Sequence, residues 1–324
     1  MKKTLLLALP PAALLAGAYA TYRTAFARSA RREAGMRTLP PGEDFQRCRE
    51  EILTNIGALL ARPYETWRVR SYDGTELTGK YYAGKPGAPV VLFVHGYRSG
   101  PERDGNGGFQ YCAQRGYGIL LAAQRGHGAS GGRTITFGVR ERRDCAAWAW
   151  EAQRRLGAET PLLLLGVSMG AATVLMASDL PLPPAVRGII ADCGFSSPEA
   201  VLRATLRRWG WPVGPSYALL RLGARLFGGF DPGESSALSS LRRTRLPVLL
   251  IHGTEDPMVP WTQALRLRSA CAGPVTLLTV PGAGHGISYY VDTPAYQAAV
   301  DRFCRAVLGG DDPEQDSAPP QGKD

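Results

Sequence analysis

Three polar residues that lie far apart in the chain have the types needed for nucleophilic catalysis: Ser168, Asp256 and His285. A serine hydroxyl is a weak nucleophile until a neighbouring base takes its proton. A histidine can act as that base when a carboxylate holds its imidazole ring in one orientation. The three residues therefore predict an attack by the serine oxygen on an acyl carbon, provided that the fold brings them together.

Ser168 is the centre of a Gly-x-Ser-x-Gly pentapeptide, residues 166–170, between apolar runs at 161–165 and 171–177. The first run has the length of a buried strand, and the second is typical of a buried helix. In that context the pentapeptide predicts a sharp strand-to-helix turn with the serine at its tip, because its glycines lack the Cβ atoms that would collide there. A serine that only caps the helix is the alternative interpretation.

The chain contains only four histidines, so the base can be sought by elimination. His95 and His252 directly end apolar strands, and His127 lies in a turn between two glycines. His285 lies in a glycine-rich loop after the last predicted strand, from which a side chain can approach the serine and shift during a reaction. We therefore expect His285 to be the base, with a surface-loop histidine as the alternative.

The acid that orients the base is expected to be Asp256, four residues after the apolar strand at 247–252. Glu255 is the adjacent competitor, and we expect it to point the other way if the turn is tight. Asp192, which ends the preceding strand, is a second alternative. We expect Asp192 to serve local hydrogen bonding instead.

A negatively charged tetrahedral intermediate needs backbone N–H donors around its oxygen. Met169, the residue after the serine, is the first expected donor of this oxyanion hole. Tyr97, in the loop after the strand at 89–94, is the second. Gly96 lets the backbone of this loop come close to the site.

Apolar strands alternate with helical patterns from residue 89 onward, which predicts an α/β fold with a mostly parallel sheet. Asp73-Gly74 lies between two alternating segments and predicts a hairpin that adds antiparallel strands at one edge. Residues 196–240 interrupt the alternation and predict a small helical cap over the carboxyl ends of the strands. Further helices are predicted around 107–115, 138–156, 260–271 and 293–307.

The length of 324 residues suits one large domain with terminal extensions. Residues 1–22 begin with Lys2-Lys3 and continue with an apolar stretch, which predicts a targeting segment. We favour a retained membrane anchor over cleavage after Ala20, so we expect a membrane-anchored protein with an extracytoplasmic catalytic domain, or a secreted one. The predicted units that follow are a polar connector at 23–63, the catalytic domain at 64–308 and a disordered acidic tail at 309–324.

The net charge of +10 permits attraction to anionic membranes or acidic ligands. No nucleic-acid-binding motif is present, so we expect no nucleic-acid partner. Six cysteines are scattered singly without a C-x-x-C pair, which argues against a structural zinc site. For most of them we expect buried free thiols rather than disulfides.

The quoted motifs together resemble the α/β-hydrolase superfamily. More narrowly, they are similar to bacterial serine hydrolases with an N-terminal membrane segment, in the fermentation–respiration switch and serine-aminopeptidase-like groups. The resemblance spans about residues 64–308. The matching pieces are His95-Gly96-Tyr97, residues 124–130, 134–138, 166–170 and 192–195, and the loops of Asp256 and His285.

The resemblance implies an α/β-hydrolase fold of about eight strands with helices on both faces, and a catalytic triad in the chain order Ser168, Asp256, His285. Relatives usually carry an aspartate where this chain has Ala123, and we expect that difference to be structural. The implied reaction is hydrolysis of an ester, thioester or amide through an acyl-enzyme at Ser168. No metal or organic cofactor is implied.

The substrate stays open at this point, because a fold does not specify it. An esterase-like activity on a small molecule leads, and a peptidase of the aminopeptidase type or an acyltransferase is the alternative. From a different class, a non-catalytic binding protein on the same fold is also open. The basic cap hints at an amphiphilic or anionic substrate through its aromatic residues Trp209, Trp211, Tyr217 and Phe227.

Overall fold

The structure, a computed structural model, describes residues 11–28, 39 and 42–309. Its centre is a single sheet of eight strands with helices on both faces. The predicted α/β-hydrolase architecture with about eight mostly parallel strands is therefore confirmed. The acidic residues 310–324 and the first ten residues of the predicted targeting segment lie outside the described residues.

The strands follow the predicted apolar runs closely. In chain order they are β1 (Glu65–Arg70), β2 (Glu76–Tyr82), β3 (Val90–Val94), β4 (Gly118–Ala122), β5 (Leu162–Val167), β6 (Val186–Asp192), β7 (Val248–Gly253) and β8 (Val275–Val280). Their order across the sheet is β1-β2-β4-β3-β5-β6-β7-β8, with β2 antiparallel to both of its neighbours and the others parallel. The predicted hairpin forms the antiparallel edge, with Arg70 opposite Glu76 at its turn.

The helices pack on both faces of this sheet. They are α1 (Pro11–Ala25), α2 (Glu43–Arg47), α3 (Arg49–Leu60), α4 (Pro101–Arg115), α5 (Glu141–Leu156), α6 (Met169–Ala177), α7 (Pro198–Arg208), α8 (Val213–Gly223), α9 (Ala237–Leu241), α10 (Thr262–Ala270), α11 (Ser288–Val291) and α12 (Thr293–Leu308). A π-helical turn, Ala224–Gly228, follows α8.

The continuous apolar runs of the central strands are explained by burial on both faces of the sheet. Leu164 of β5 packs in a cluster with side chains of α5 and α6, whereas Leu163 and Leu165 pack in a second cluster with α4 and α12. Successive residues of a strand point to opposite faces, so every position of β5 from Leu162 to Leu165 must be apolar. This core holds the carboxyl ends of β3, β5 and β7 in fixed positions.

Helix α4 begins at Pro101, six residues before the predicted start near 107. Gly100 is extended and precedes a proline at the first helical position, and the acidic Glu102 and Asp104 lie in the first turn. The prediction missed this start because the glycines inside α4 weaken its helical pattern. Gly105 packs closely against β3, since a Cβ there would lie 3.0 Å from the ring of Phe93.

The interruption at 196–240 consists of α7, α8, the π-helical turn and α9, with Trp209 to Pro212 as the link between α7 and α8. Helix α1 packs against α8, where Ala18 is buried and a Cβ on Gly223 would lie 2.2 Å from the Ala18 carbonyl oxygen. The helix therefore continues across the predicted boundary at residue 22 and is part of the folded body.

Two further expectations concern the N-terminal region and the thiols. Among the described residues, no helix combines the length and the apolar character that crossing a membrane requires. All six cysteines are free thiols, and four are buried: Cys112, Cys145, Cys193 and Cys304. The expectation of free thiols is therefore confirmed.

Candidate active site

Ser168 occupies the turn between β5, which ends at Val167, and α6, which begins at Met169. Its backbone has φ 55° and ψ −114°, a conformation that a residue with a Cβ adopts only at a cost of about 1–3 kcal/mol. The Ser168 N–H donates to the carbonyl oxygen of Asp192 at 2.9 Å and so ties the turn to the end of β6. The hydroxyl is thereby held at the carboxyl edge of the sheet.

The two glycines of the pentapeptide are required by close backbone contacts. A Cβ on Gly170 would lie 1.9 Å from the carbonyl oxygen of Val94, and a Cβ on Gly166 would lie 2.3 Å from the Gly170 carbonyl. These distances are far below any tolerated contact with backbone atoms. The predicted reason for Gly-x-Ser-x-Gly therefore applies, since α6 can approach β3 only without side chains at these positions.

The three predicted residues meet in one hydrogen-bonded line. The His285 Nε2 atom lies 2.8 Å from the Oγ of Ser168, and its Nδ1 atom lies 2.7 Å from the Oδ2 of Asp256. An ionised carboxylate only accepts hydrogen bonds, so Nδ1 carries the proton and Nε2 accepts from the serine hydroxyl. This arrangement can remove the serine proton during an attack.

Asp256 is buried and held by donors on both oxygens. Its Oδ1 accepts the N–H groups of Met258 and Val259 at 2.8 Å each, and His252 Nε2 lies 3.4 Å from its Oδ2. Burial alone would raise the pKa of this carboxyl, but the hydrogen bonds of His252 and His285 outweigh burial and hold the pKa well below its ordinary value. The group therefore stays ionised beside His285.

The alternative acids lie elsewhere. Glu255 is exposed, as expected for a side chain that points away from Asp256. Asp192 is buried and accepts hydrogen bonds from Ser288 and Tyr296, and burial raises its pKa to about 6. The expectation of local hydrogen bonding at Asp192 agrees with these contacts.

The other three histidines have structural partners. His252 donates from Nε2 to the Val259 carbonyl at 2.8 Å. The Nε2 atoms of His95 and His127 accept the backbone N–H groups of Gln124 and Arg98, each at 3.0 Å. Each of the four histidines therefore has a defined contact, and His285 is the one that contacts Ser168.

The loop after β3 approaches the serine closely. A Cβ on Gly96 would lie 3.5 Å from the Cβ of Ser168, and the Gly96 N–H donates to Asp104 at 2.8 Å. Tyr97 is the next residue of this loop, and its backbone N–H stays a predicted donor of the oxyanion hole. On the other side, Met169 is the first residue of α6, where a backbone N–H has no intrahelical partner.

Two contacts of this loop were not expected from the sequence. Asp104 of α4 fixes Gly96, and the end of α1 binds the side chains of Tyr97 and Arg98. Arg98 donates from Nη2 to the Thr24 carbonyl at 2.6 Å. No sequence signal marks these contacts, because the partners are separated by up to 74 residues and the acceptors on α1 are backbone carbonyls.

The sequence profile described as the alpha/beta hydrolase family matches residues 91–300. This chain belongs to that family. The matched region begins in β3 and ends in α12, so it contains the serine turn, the aspartate loop and the histidine loop.

Relatives of this chain include several bacterial proteins without an assigned activity. It is 29% identical over 192 residues to the uncharacterized protein YqkD of Bacillus subtilis, which covers 58% of this chain and 62% of YqkD. It therefore spans less than two thirds of that relative. An uncharacterized protein of Mycobacterium tuberculosis is 28% identical over 251 residues, which cover 74% of this chain and 80% of the relative.

Solved structures of similar shape include esterases. An esterase from Pyrococcus furiosus is 20% identical with a TM-score of 0.64, and the match covers 78% of this chain and 94% of the esterase. Est1E of Butyrivibrio proteoclasticus, solved with ferulic acid, is 18% identical with a TM-score of 0.57 and covers 74% and 99% of the two chains. At these identities the likeness shows a shared fold.

Among the described residues, one trio of side chains has the chemistry of metal ligands. The Cys193 thiol, the Asp256 carboxylate and a His285 ring nitrogen offer atoms that all lie within 4.8 Å of one another. The Asp256 carboxylate and the His285 ring, however, are already hydrogen-bonded to each other. Burial also raises the pKa of the Cys193 thiol well above its ordinary value. Because thiolates bind metals and thiols bind them poorly, we assign no metal to this trio.

A cavity of about 280 Å³ lies beside the loop after β3, and Ala123, where the resemblance predicts an aspartate, is among its lining residues. Lys80 and Glu102 also line it and form an ion pair at 2.8 Å. Ser168 and His285 do not line this cavity. Alanine in place of aspartate at position 123 therefore changes the lining of this cavity and not the contact between Ser168 and His285.

Proposed function

We propose that this protein is a serine hydrolase of the esterase-like type, with Ser168 as nucleophile, His285 as base and Asp256 as the orienting acid. The observation that carries the proposal is the continuous line from the Ser168 hydroxyl through both ring nitrogens to the buried carboxylate, at 2.8 and 2.7 Å. The strained turn that presents the serine supports the same assignment.

In the first half of the proposed reaction, the Ser168 oxygen attacks the acyl carbon while its proton passes to His285 Nε2. The resulting oxyanion accepts hydrogen bonds from the backbone N–H groups of Tyr97 and Met169. Collapse of this intermediate breaks the bond to the leaving group, which takes the proton from His285. Asp256 stabilises the imidazolium that forms between the two proton transfers.

In the second half, water attacks the acyl-enzyme and gives a proton to the same nitrogen. The bond to Ser168 then breaks, the serine oxygen regains the proton, and the carboxylic acid leaves. All protons are thus carried by one imidazole, and the cycle needs no cofactor. Losing one oxyanion donor typically lowers turnover about 10²–10³-fold, so the position of the Tyr97 loop is expected to matter for the rate.

The charges of the cap favour a neutral ester over an aminopeptidase substrate. An aminopeptidase needs a carboxylate to bind the free amine of the peptide. Of the three acids in the cap, Glu199 lies 2.6 Å from Arg203, and Asp231 binds both Arg221 and Arg225. These carboxylates are already neutralised, and the third, Glu234, is exposed. The name of the structural neighbour from Pyrococcus furiosus, an esterase, points in the same direction.

Labelling with a fluorophosphonate probe tests the nucleophile directly. The wild type should be labelled, Ser168→Ala should not be, and the control Ser288→Ala, close to His285 in sequence, should be labelled like the wild type. An unlabelled wild type would favour the binding-protein alternative and overturn the proposal. A screen of nitrophenyl esters of graded length beside aminoacyl anilides then decides the substrate class, since faster anilide cleavage would favour the peptidase.

A further inference from the structure

The first two turns of α1 are apolar yet exposed to solvent. Every residue from Pro11 to Ala16 is exposed, and contact with the cap begins at Gly17, where a Cβ would lie 3.2 Å from Leu219. Apolar residues exposed together on a folded protein mark a contact surface more often than single ones do. This end of α1 is therefore a candidate for a binding surface.

The exposed surface of α1 continues onto the cap. Tyr19 lies one turn after Leu15 on the same side of the helix, and its ring centroid is 5.1 Å from that of Phe227 in the π-helical turn. We name the α1–cap face by its five large apolar residues, which are each 38–53% exposed: Leu14, Leu15, Tyr19, Leu226 and Phe227. The face thus joins two segments that are about 200 residues apart in the chain, which only a folded protein can present.

We propose that the α1–cap face docks onto an anionic lipid bilayer and lies in its interface. In the sequence, α1 is preceded by the apolar Leu5, Leu6, Leu7 and Leu9 and by Lys2 and Lys3, whose positive charges anionic lipids attract. On the helix itself, Arg23 is exposed one turn after Tyr19. Leucine and tyrosine beside arginine are the residues of an interfacial helix.

A bilayer fits this face better than a protein partner for a physical reason. The apolar side chains are aliphatic in the first turns of α1 and aromatic near Arg23, so the surface changes from apolar to cationic along the helix. A bilayer grades in the same way from acyl chains to anionic headgroups. Helix α1 packs against α8 of the cap from Gly17 onward and buries Ala18 there, so we place it along the bilayer surface together with the cap.

The docked helix would also fix the position of the proposed active site. The end of α1 accepts hydrogen bonds from Tyr97 and Arg98, in the loop that faces Ser168. A bilayer bound to the α1–cap face would therefore hold this loop at a constant distance from the lipid. The inference goes beyond the proposed hydrolase activity and does not rest on it.

Co-sedimentation of the purified full chain with vesicles tests the proposal. We expect binding to vesicles of phosphatidylcholine and phosphatidylglycerol in equal parts, and weaker binding to phosphatidylcholine alone. The double variant Leu15→Glu/Tyr19→Glu and the single variant Leu226→Glu should each weaken binding, the double variant roughly tenfold or more, because each charge replaces an apolar contact with lipid. The matched control Leu265→Glu changes an exposed leucine of α10, a helix that packs on β7, β8 and α9, and should bind like the wild type.

The variant of the cap, Leu226→Glu, distinguishes binding through the α1–cap face from binding through the first residues of the predicted targeting segment. If Leu226→Glu sediments like the wild type, binding comes from elsewhere in the chain and the α1–cap face is refuted; Phe227→Glu repeats this arm should Leu226→Glu fail to fold. A wild type that ignores vesicles but dimerises through this face would equally overturn the proposal. Hydrolysis of a soluble short-chain ester by each variant shows, independently of vesicle binding, whether the fold and the active site are intact. Vesicle binding by a wild type that hydrolyses no ester would refute the proposed function and leave the docking proposal standing.

Discussion

The phenolic hydroxyl of Tyr97 donates to the backbone carbonyl of Ala25 at 2.7 Å and links the proposed oxyanion loop to the end of α1. The Tyr97 ring also stacks on Phe137, with ring centroids 4.8 Å apart. A residue whose expected role is carried by its backbone is thus held in place by its side chain. The N-terminal helix, although remote in sequence, contributes to the geometry around Ser168.

Replacing Tyr97 by phenylalanine should lower turnover without changing the fold. Tyr97→Phe keeps the ring and the backbone N–H but removes a hydrogen bond worth about 0.5–1.5 kcal/mol, so we expect kcat for a soluble ester to fall roughly two- to tenfold with little change in KM. The control is Tyr22→Phe on α1, which loses a hydroxyl hydrogen-bonded to the Thr134 hydroxyl at 2.9 Å. Its kcat should be that of the wild type. Equal kcat values in both variants would contradict the link.

Removing the imidazole should abolish activity and leave the fold intact. His285→Ala deletes the base that contacts Ser168, and we expect kcat to fall by about 10⁴-fold or more. Because His285 lies in a loop, the thermal unfolding midpoint of the His285→Ala variant should stay close to that of the wild type. Steady-state kinetics and calorimetry on the same preparation measure both quantities, and ordinary turnover in this variant would refute the assigned base.

The two adjacent acids provide a matched pair. Asp256→Asn replaces the acceptor of the His285 Nδ1 proton by an amide that can present a donor, so the imidazole takes the wrong tautomer and kcat should fall about 10⁴-fold. Glu255→Gln changes an exposed carboxylate one residue earlier and should keep wild-type kinetics. Similar losses in both variants would argue against a specific role for Asp256.

Asp192 predicts a pH dependence of stability. Burial raises its pKa from 3.8 to about 6, so between these values the folded state holds a proton that the unfolded state releases, and the free energy of unfolding decreases as the pH rises. Asp192→Asn should remove up to about 3 kcal/mol of this decrease. Denaturant unfolding across that pH window measures the difference between variant and wild type. A difference that does not grow with pH would show that Asp192 titrates normally.

The turn glycine gives a test of the strand-to-helix geometry. Gly170→Ala places a methyl group 1.9 Å from the Val94 carbonyl oxygen, so α6 must move away from β3 and we expect a loss of at least about 3 kcal/mol of stability. Gly57→Ala, in α3, meets nothing within 4 Å and should be neutral or stabilising by about 0.5–1 kcal/mol. Comparable unfolding curves for the two variants would contradict the packing argument.

The sequence alone determined the elements and the residue types of the site. Apolar runs of strand length are buried on both faces, so β3, β5, β6 and β7 are visible without a structure. The glycines around Ser168 are dictated by backbone contacts, so they remain readable as a local pattern. With only four histidines in the chain, the position of each one in strand, turn or loop was enough to single out His285.

Tertiary structure decided what depends on distance through space. The start of α4 at Pro101 was hidden because its glycines lower helix propensity, whereas Gly105 and Gly107 serve close packing against Phe93 and Tyr289. The attachment of α1 to α8 and to Tyr97 was hidden because it uses backbone carbonyls and close helix contact, which leave no residue pattern. An apolar N-terminal stretch reads alike whether it enters a membrane or packs on a protein, and only the fold shows which of its residues are covered.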